Sequence, residues 1–264
     1  MELQGSVGIV GGNGQLGGAI ARGCLRARTL AAERLWISCR SGRAEGFGDW
    51  PGIRFTPSNQ ELAGACDTVI LSVPPAAAGE IGIRTRGLVI SVMAGVPLDR
   101  LANLTGATRV IRAMSSPAAA DALAYSPWVA SAAVTAADRA TARAIFGACG
   151  LTDEIEEEGH IDFFTALTGP VPGFVALMAD CMIRHAAEQG IDPALAERAV
   201  RQLFLASGEA LGRAHASPAD AVNAMVDYAG TTAAGIEAMR SAGLDRVIAA
   251  GLEAATKRAR EMGR

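Results

Sequence analysis

Directly after a short apolar run, Val7-Gly8-Ile9-Val10, the chain places Gly11, Gly12, Gly14 and Gly17 ahead of an alanine-rich stretch. A strand that turns on glycines into a helix has few uses for such a turn. Gly12-Asn13-Gly14-Gln15-Leu16-Gly17 spells GxGxxG, in which the first glycine permits the tight turn and the second lets backbone approach a pyrophosphate. The third packs the helix on the strand, and the helix points its first amides and positive dipole end at the phosphates. In a chain of 31 glycines the pattern alone says little. Its setting, strand before and helix after within a βαβ unit, is what identifies a dinucleotide loop.

The rest of the first half continues that plan. Strands are expected at Val7–Val10, Leu35–Ser38, Ile53–Phe55, Thr68–Val73, Leu88–Val92 and Arg109–Ala113, several apolar on both faces as in a sheet covered by helices on both sides. Two further strands, Trp128–Val134 and Thr152–Glu156, flank a helix at Ala137–Ala148. This is a doubly wound α/β (Rossmann) pattern. After Asp162 no strand is expected. Phe174, Leu177, Met178, Cys181, Met182 and His185 recur at helical spacing up to Gly190, and His185 on that apolar stripe reads as a buried structural residue. Asp192-Pro193 opens a second helix to about Ala214, Ser217-Pro218 with Asp220 forms a capping box, and helices follow at Ala233–Ser241 and Asp245–Met262. The expected domains are therefore 1–157, the Rossmann unit, and 158–264, an all-helical unit whose apolar faces call for self-association. His160, behind Glu156, Glu157 and Glu158, falls in a solvated acidic junction.

Composition removes other classes. Net charge is −3, charged residues make up 19%, and no run of like charge suggests nucleic acid or a membrane surface. The N-terminus carries no basic region of the secretory kind, and apolar runs are interrupted short of a membrane span. Five cysteines and three histidines lack ligand spacing, so the expectation is no metal and buried thiols in a reducing cytoplasm.

The end of the second strand selects the cofactor. Ser38-Cys39-Arg40-Ser41-Gly42-Arg43 offers no carboxylate to a ribose 2′-hydroxyl before Glu45. Arg40 can instead pair bidentately with a 2′-phosphate, supported by Ser41 and Arg43, which favours NADP(H).

Several segments together resemble the pyrroline-5-carboxylate reductase family. They are the Val10–Gly17 loop, Leu71-Ser72-Val73-Pro74, Ser91-Val92-Met93-Ala94-Gly95, Val110-Ile111-Arg112-Ala113-Met114, Glu158 with Ile161-Asp162 and Thr165–Gly169, and Gly230-Thr231-Thr232 before a helix. Their order and spacing hold over nearly the whole chain. The resemblance implies hydride transfer from NADPH to a cyclic imine, giving a secondary amine such as proline, in a homodimer or higher homo-oligomer built on the C-terminal helices. It places Val73, Pro74, Ala94 and Met114 beside the cofactor and makes Thr232 the hydrogen-bond partner of the imine nitrogen. Thr231, Thr168, Gly169, Val171 and Gly173 would then line the substrate, with amides between Thr168 and Gly173 holding a carboxylate. A helix N-cap is the other reading of Thr232.

The substrate side departs from the family. Its Ser-Gly-Ser-Gly-Pro-Ala-Tyr loop is here Thr168-Gly169-Pro170-Val171-Pro172-Gly173-Phe174, and Ser-Pro-Gly-Gly has become Asp227-Tyr228-Ala229-Gly230. Met-Pro-Asn-Thr-Pro is replaced by Met114-Ser115-Ser116-Pro117-Ala118. Pro170 lacks an N–H and Val171 adds bulk. Two alternatives stay open: a β-hydroxyacid-dehydrogenase-like oxidoreductase, disfavoured because the single lysine is Lys257, and a dinucleotide-binding regulator without catalysis.

Overall fold

Apolar runs separated by turns become eight strands in the computed structural model, which describes residues 2–39, 46–169 and 172–263. They are β1 (Val7–Val10), β2 (Leu35–Ser38), β3 (Arg54–Thr56), β4 (Thr68–Leu71), β5 (Leu88–Ser91), β6 (Val110–Ala113), β7 (Ala124–Ala130) and β8 (Gly150–Glu154). One sheet runs β3-β2-β1-β4-β5-β6-β7-β8. Every pairing is parallel except β6 with β7. Side chains alternate between the two faces. Val7, Ile9, Ile70, Leu88, Ile90 and Ile111 enter one buried cluster, packed with α1 (Gln15–Arg26) and α4 (Ala136–Gly147). Val10, Val69, Leu71, Val89 and Val110 enter the other, with α2 (Asn59–Ala65) and α3 (Leu98–Thr105). Each such buried aliphatic side chain stabilises the fold by about 1.5–3 kcal/mol, which the ordering of the chain largely offsets.

The first six strands and α4 lie close to expectation, and β7 is the largest shift. The expected bounds are Trp128–Val134, but the strand ends at Ala130, because the Val110 amide donates to the Ser131 hydroxyl instead of to backbone and Thr135 begins the capping box of α4. The strand β8 also ends early, at Glu154, whose carboxylate takes Arg139 and Arg143.

A first compact unit comprises Met1–Val171 with Leu252–Arg264, and a second comprises Pro172–Gly251. The boundary expected after residue 157 therefore cuts the first unit. The reason is α5 (Gly159–Thr168), where an acidic solvated junction was expected. Its Asp162 is buried against Arg112 of β6, and its Phe164 ring lies 5.8 Å from Tyr125 of β7, so the helix stays with the sheet. His160 and Glu157 are exposed as expected, but Glu158 turns inward to Arg112.

The second unit contains α6 (Gly173–Glu188), α7 (Pro193–Arg213), α8 (Pro218–Asp227), α9 (Thr231–Ser241) and the start of α10 (Leu244–Met262). The capping signals act as written. Asp192 accepts from the Leu195 amide, and Ser217 and Asp220 bond reciprocally. The apolar stripe of α6 is not buried within the chain: Phe174, Leu177, Met178 and Met182 are exposed. His185 is likewise exposed and sits 3.4 Å from Glu188, contrary to the expected buried position, because the partly covered face of α6 is that of Ala179, Ile183, Ala186 and Ala187.

Candidate functional site

In the sheet order, β1 lies between β2 and β4 and the connections diverge to either side of it, which opens a crevice at the carboxyl ends of these strands. The expected loop stands at that crevice. Gly11 carries the turn, with φ +79 and its own would-be Cβ 2.5 Å from the Ser72 carbonyl. The role assigned to Gly12 from sequence thus belongs to Gly11. Gly12 instead lets the loop lie against β2, since a Cβ there would meet Ile37 at 2.9 Å. Gly17 packs as expected: its Cβ would reach the Gly11 carbonyl at 2.7 Å and Ser72 Cβ at 3.1 Å.

Gly14 is different. It is exposed, caps α1 with extended backbone (φ −70, ψ 168), and among the described residues a Cβ there would meet only the Gly11 carbonyl, at 3.2 Å. No side chain caps α1 and its first turn holds no acidic residue. Its leading amides and dipole end are therefore left without a capping side chain among the described residues, beside Asn13, Gln15 and Leu16. That is a cradle for an anion, and the residues fit a pyrophosphate.

Neighbouring strands deliver the other expected residues of the first unit. Val73 follows β4 and its Cγ1 lies beside Gly11, with Pro74 next in the chain. Ala94 and Gly95 form a turn after β5, where Gly95 has φ +71 and the Ala259 carbonyl of α10 sits 2.3 Å from its would-be Cβ. Met114 follows β6, and its Cε would be 2.7 Å from a Cβ on Gly169, so the end of α5 closes on it. The Thr168 hydroxyl donates to the Phe164 carbonyl of its own helix at 2.9 Å. Arg40, Ser41 and Val171 lie outside the described residues.

In the second unit, Gly173 opens α6, and Thr231 and Thr232 are the first two residues of α9. Gly230 is the cap, and no side chain makes a capping bond. The N-cap reading of Thr232 is thereby removed; both threonines are exposed. Ala229, just before them, holds φ 55, a left-handed conformation unusual for alanine.

Thiol chemistry finds no support near these residues. Burial pushes the Cys66 thiol up to about 12, the Asp67 carboxylate adding to the effect. Cys24 is also raised, first by its hydrogen bond with Cys149 and then by burial. Neither is a thiolate at neutral pH. Among the described residues no group of three His, Cys, Asp or Glu side chains could hold a metal.

The sequence reading did not foresee the pairing of Arg112 with Glu158 and Asp162. Those carboxylates are four residues apart, a spacing that puts both on one helix face, and it becomes visible once α5 is recognised as a helix.

Comparison with known proteins adds the following. Residues 158–262 match a family model described as pyrroline-5-carboxylate reductase dimerisation, and residues 6–95 match one described as NADP oxidoreductase coenzyme F420-dependent. The chain is 31% identical over 265 residues to a pyrroline-5-carboxylate reductase of Thermus thermophilus, covering 96% of this chain and 97% of that protein. A crystal structure of the Streptococcus pyogenes 1-pyrroline-5-carboxylate reductase is similar with TM-score 0.82 and 27% identity, covering 97% and 98% of the two chains. The Plasmodium falciparum pyrroline carboxylate reductase, solved with NADP bound, has the same fold with TM-score 0.82 at 23% identity and full coverage of both chains.

Proposed function

The chain belongs to the pyrroline-5-carboxylate reductase family, and on that premise we propose that it reduces a cyclic imine to a secondary amine with NADPH as the hydride donor. It is an NAD(P)H-dependent oxidoreductase acting on a C=N bond. The observation that carries the reading is the amino end of α1: among the described residues a Cβ on Gly14 would meet only the Gly11 carbonyl, and the helix has no side-chain cap and no acid in its first turn. The reduced nicotinamide, when bound, supplies the hydride.

The chain's own groups have three tasks. Amides from Gln15 to Gly17 bind the diphosphate, that of Gly14 being held by the Gly11 carbonyl, and Val73, Pro74, Ala94 and Met114 give the cofactor an apolar wall at the ends of β4, β5 and β6. Arg40 and Ser41 take the 2′-phosphate. Thr232 hydrogen-bonds the imine nitrogen, its hydroxyl oxygen accepting from the N–H of the protonated imine, with Thr231, Thr168, Gly169, Val171 and Gly173 around the substrate. A protonated imine is already a strong electrophile, so these residues chiefly orient it and keep water out.

We read the exposed apolar stripe of α6 as a homodimer face rather than a membrane span. The stretch Gly159–Glu188 has the length and mean hydropathy, 1.5, to cross a bilayer. Its first part, however, seats a buried Asp162–Arg112 pair on the sheet, and its second carries Asp180 paired with Arg184. The buried cysteines Cys24, Cys39, Cys66 and Cys149 suit a reducing cytoplasm, whereas Cys181, expected to be buried, is exposed on α6.

The altered loop around Pro170 and the Asp227-Tyr228-Ala229 turn favour an imine other than pyrroline-5-carboxylate, or, as a second reading, a nucleotide-binding protein without turnover. Oxidation of NADPH by the purified protein, followed with pyrroline-5-carboxylate and a panel of cyclic imines, decides. Turnover of a member supports the reading; tight NADPH binding with no imine reduced refutes it in favour of the second.

A further inference from the structure

Arg112 is the only cation that is buried among the described residues, 3% exposed in the middle of the sheet. A guanidinium in such a place is held only if its charge and donors are met. Its Nη1 donates to Glu158 Oε1 at 3.2 Å, and its Nη2 donates to Asp162 Oδ1. Its Nε has no partner among the described residues. Glu158 Oε1 also accepts from the Leu98 amide at 2.8 Å, the first residue of α3. Asp162 Oδ2 lies 4.0 Å from Arg260 Nε on α10.

Each segment tied by this cluster leads to the crevice. Arg112, on β6, stands two residues before Met114, which follows that strand. Leu98 follows the Ala94-Gly95 turn. The helix α5, pinned near its start by Glu158 and Asp162, ends at Gly169 against Met114 Cε. Thus β6 and the residue that follows it hold α5 near both ends, by an ion pair at one and by the approach of Met114 to Gly169 at the other.

We propose that Arg112 is a positioning residue that, through Glu158 and Asp162, fixes where α5 delivers Thr168 and Gly169 beside Met114. It touches neither cofactor nor substrate, and its effect is on the placing of the substrate segment. The inference rests on the imine-reductase reading only for its kinetic readout. Because that segment is assigned to binding rather than to hydride transfer, loosening it raises KM and spares kcat.

The experiment compares wild type with Arg112→Lys, which keeps the charge but loses the planar fork, and Asp162→Asn, which keeps an acceptor. Should the lysine variant fail to fold, Asp162→Asn carries the test. The expected result is a KM for the imine raised at least tenfold, kcat within threefold, and NADPH dissociation constant within twofold of wild type. KM unchanged in folded variants, or NADPH affinity lost in step with KM, overturns the proposal. Hydrogen exchange of the same variants separates it from the assigned activity. Faster exchange confined to amides of Phe164–Gly169, with β5 and β6 unaffected, supports the positioning role even if wild type reduces no imine, and unchanged exchange there overturns it.

Discussion

Gly14 and Gly17 occupy one loop, yet adding a methyl to each should produce opposite results. At Gly14 the backbone is extended, so alanine is unstrained, and the new Cβ meets only the Gly11 carbonyl at 3.2 Å. Alanine is a poorer helix cap than glycine but also loses less chain entropy on folding, so stability should stay within about 0.5 kcal/mol of wild type. The methyl does, however, fill the space in front of the α1 amides. Losing one charge-assisted hydrogen bond costs about 1.5–3 kcal/mol, a roughly 10- to 150-fold rise in the NADPH dissociation constant. At Gly17 the Cβ would stand 2.7 Å from the Gly11 carbonyl and 3.1 Å from Gly12 Cα, both backbone. Overpacking of about 1–3 kcal/mol, less the helix-propensity gain of about 1, should lower the melting temperature by a few degrees. Calorimetric titration with NADPH and thermal unfolding, on both variants, give the four numbers. If folded Gly14→Ala binds NADPH within twofold of wild type, the diphosphate does not lie where the loop's geometry points and the functional reading fails with it.

Arg40→Ala should weaken NADPH by about 10- to 150-fold while leaving NADH nearly unchanged, because only the 2′-phosphate loses a charge-assisted partner; equal losses for both nucleotides would remove Arg40 from that role. Ala229→Gly should relieve the left-handed backbone at φ 55 and raise stability to urea by up to about 1 kcal/mol, and a destabilised variant would contradict it. The Cys66 thiol, raised from 9.0 to about 12, gives stability that is full below pH 9 and is lost as pH rises towards 12. Over that window wild type should lose its stability advantage over Cys66→Ala by up to roughly 1.4 kcal/mol per pH unit, and parallel curves would count against the burial argument.

The first unit was largely legible because its signals are local and its strands are apolar on both faces. Val7–Val10 and Leu35–Ser38 fall where the sequence puts them. The helix starts at Asp192 and Ser217 were readable because a capping side chain sits three residues from the amide it accepts from. What escaped was long-range. Nothing near Asp162 announces a guanidinium fifty positions upstream, so the acidic turn from Glu156 to His160 reads as a solvated junction, although a helix seated on the sheet begins there. His185 was misplaced for a related reason: helical spacing shows that a face is apolar, but not whether the same chain covers it.

That difference also explains where the chain has diverged from its family. Gly11, Gly12 and Gly17 are each hemmed by backbone or by core side chains within about 3 Å, so exchange at any of them disturbs the sheet itself. Tyr228 is 85% exposed, and Thr231 and Thr232 beside it make no capping bond, so nothing in their own fold resists substitution around them. A residue free of packing duties changes at little cost to stability, and its identity is then set by whatever it meets outside its own chain segment. The threonine pair keeps the family pattern although packing does not require it, whereas Asp227, Tyr228 and Ala229 do not. Under the function proposed above, the hydroxyls would serve chemistry common to imines, and the three altered neighbours would set which imine fits.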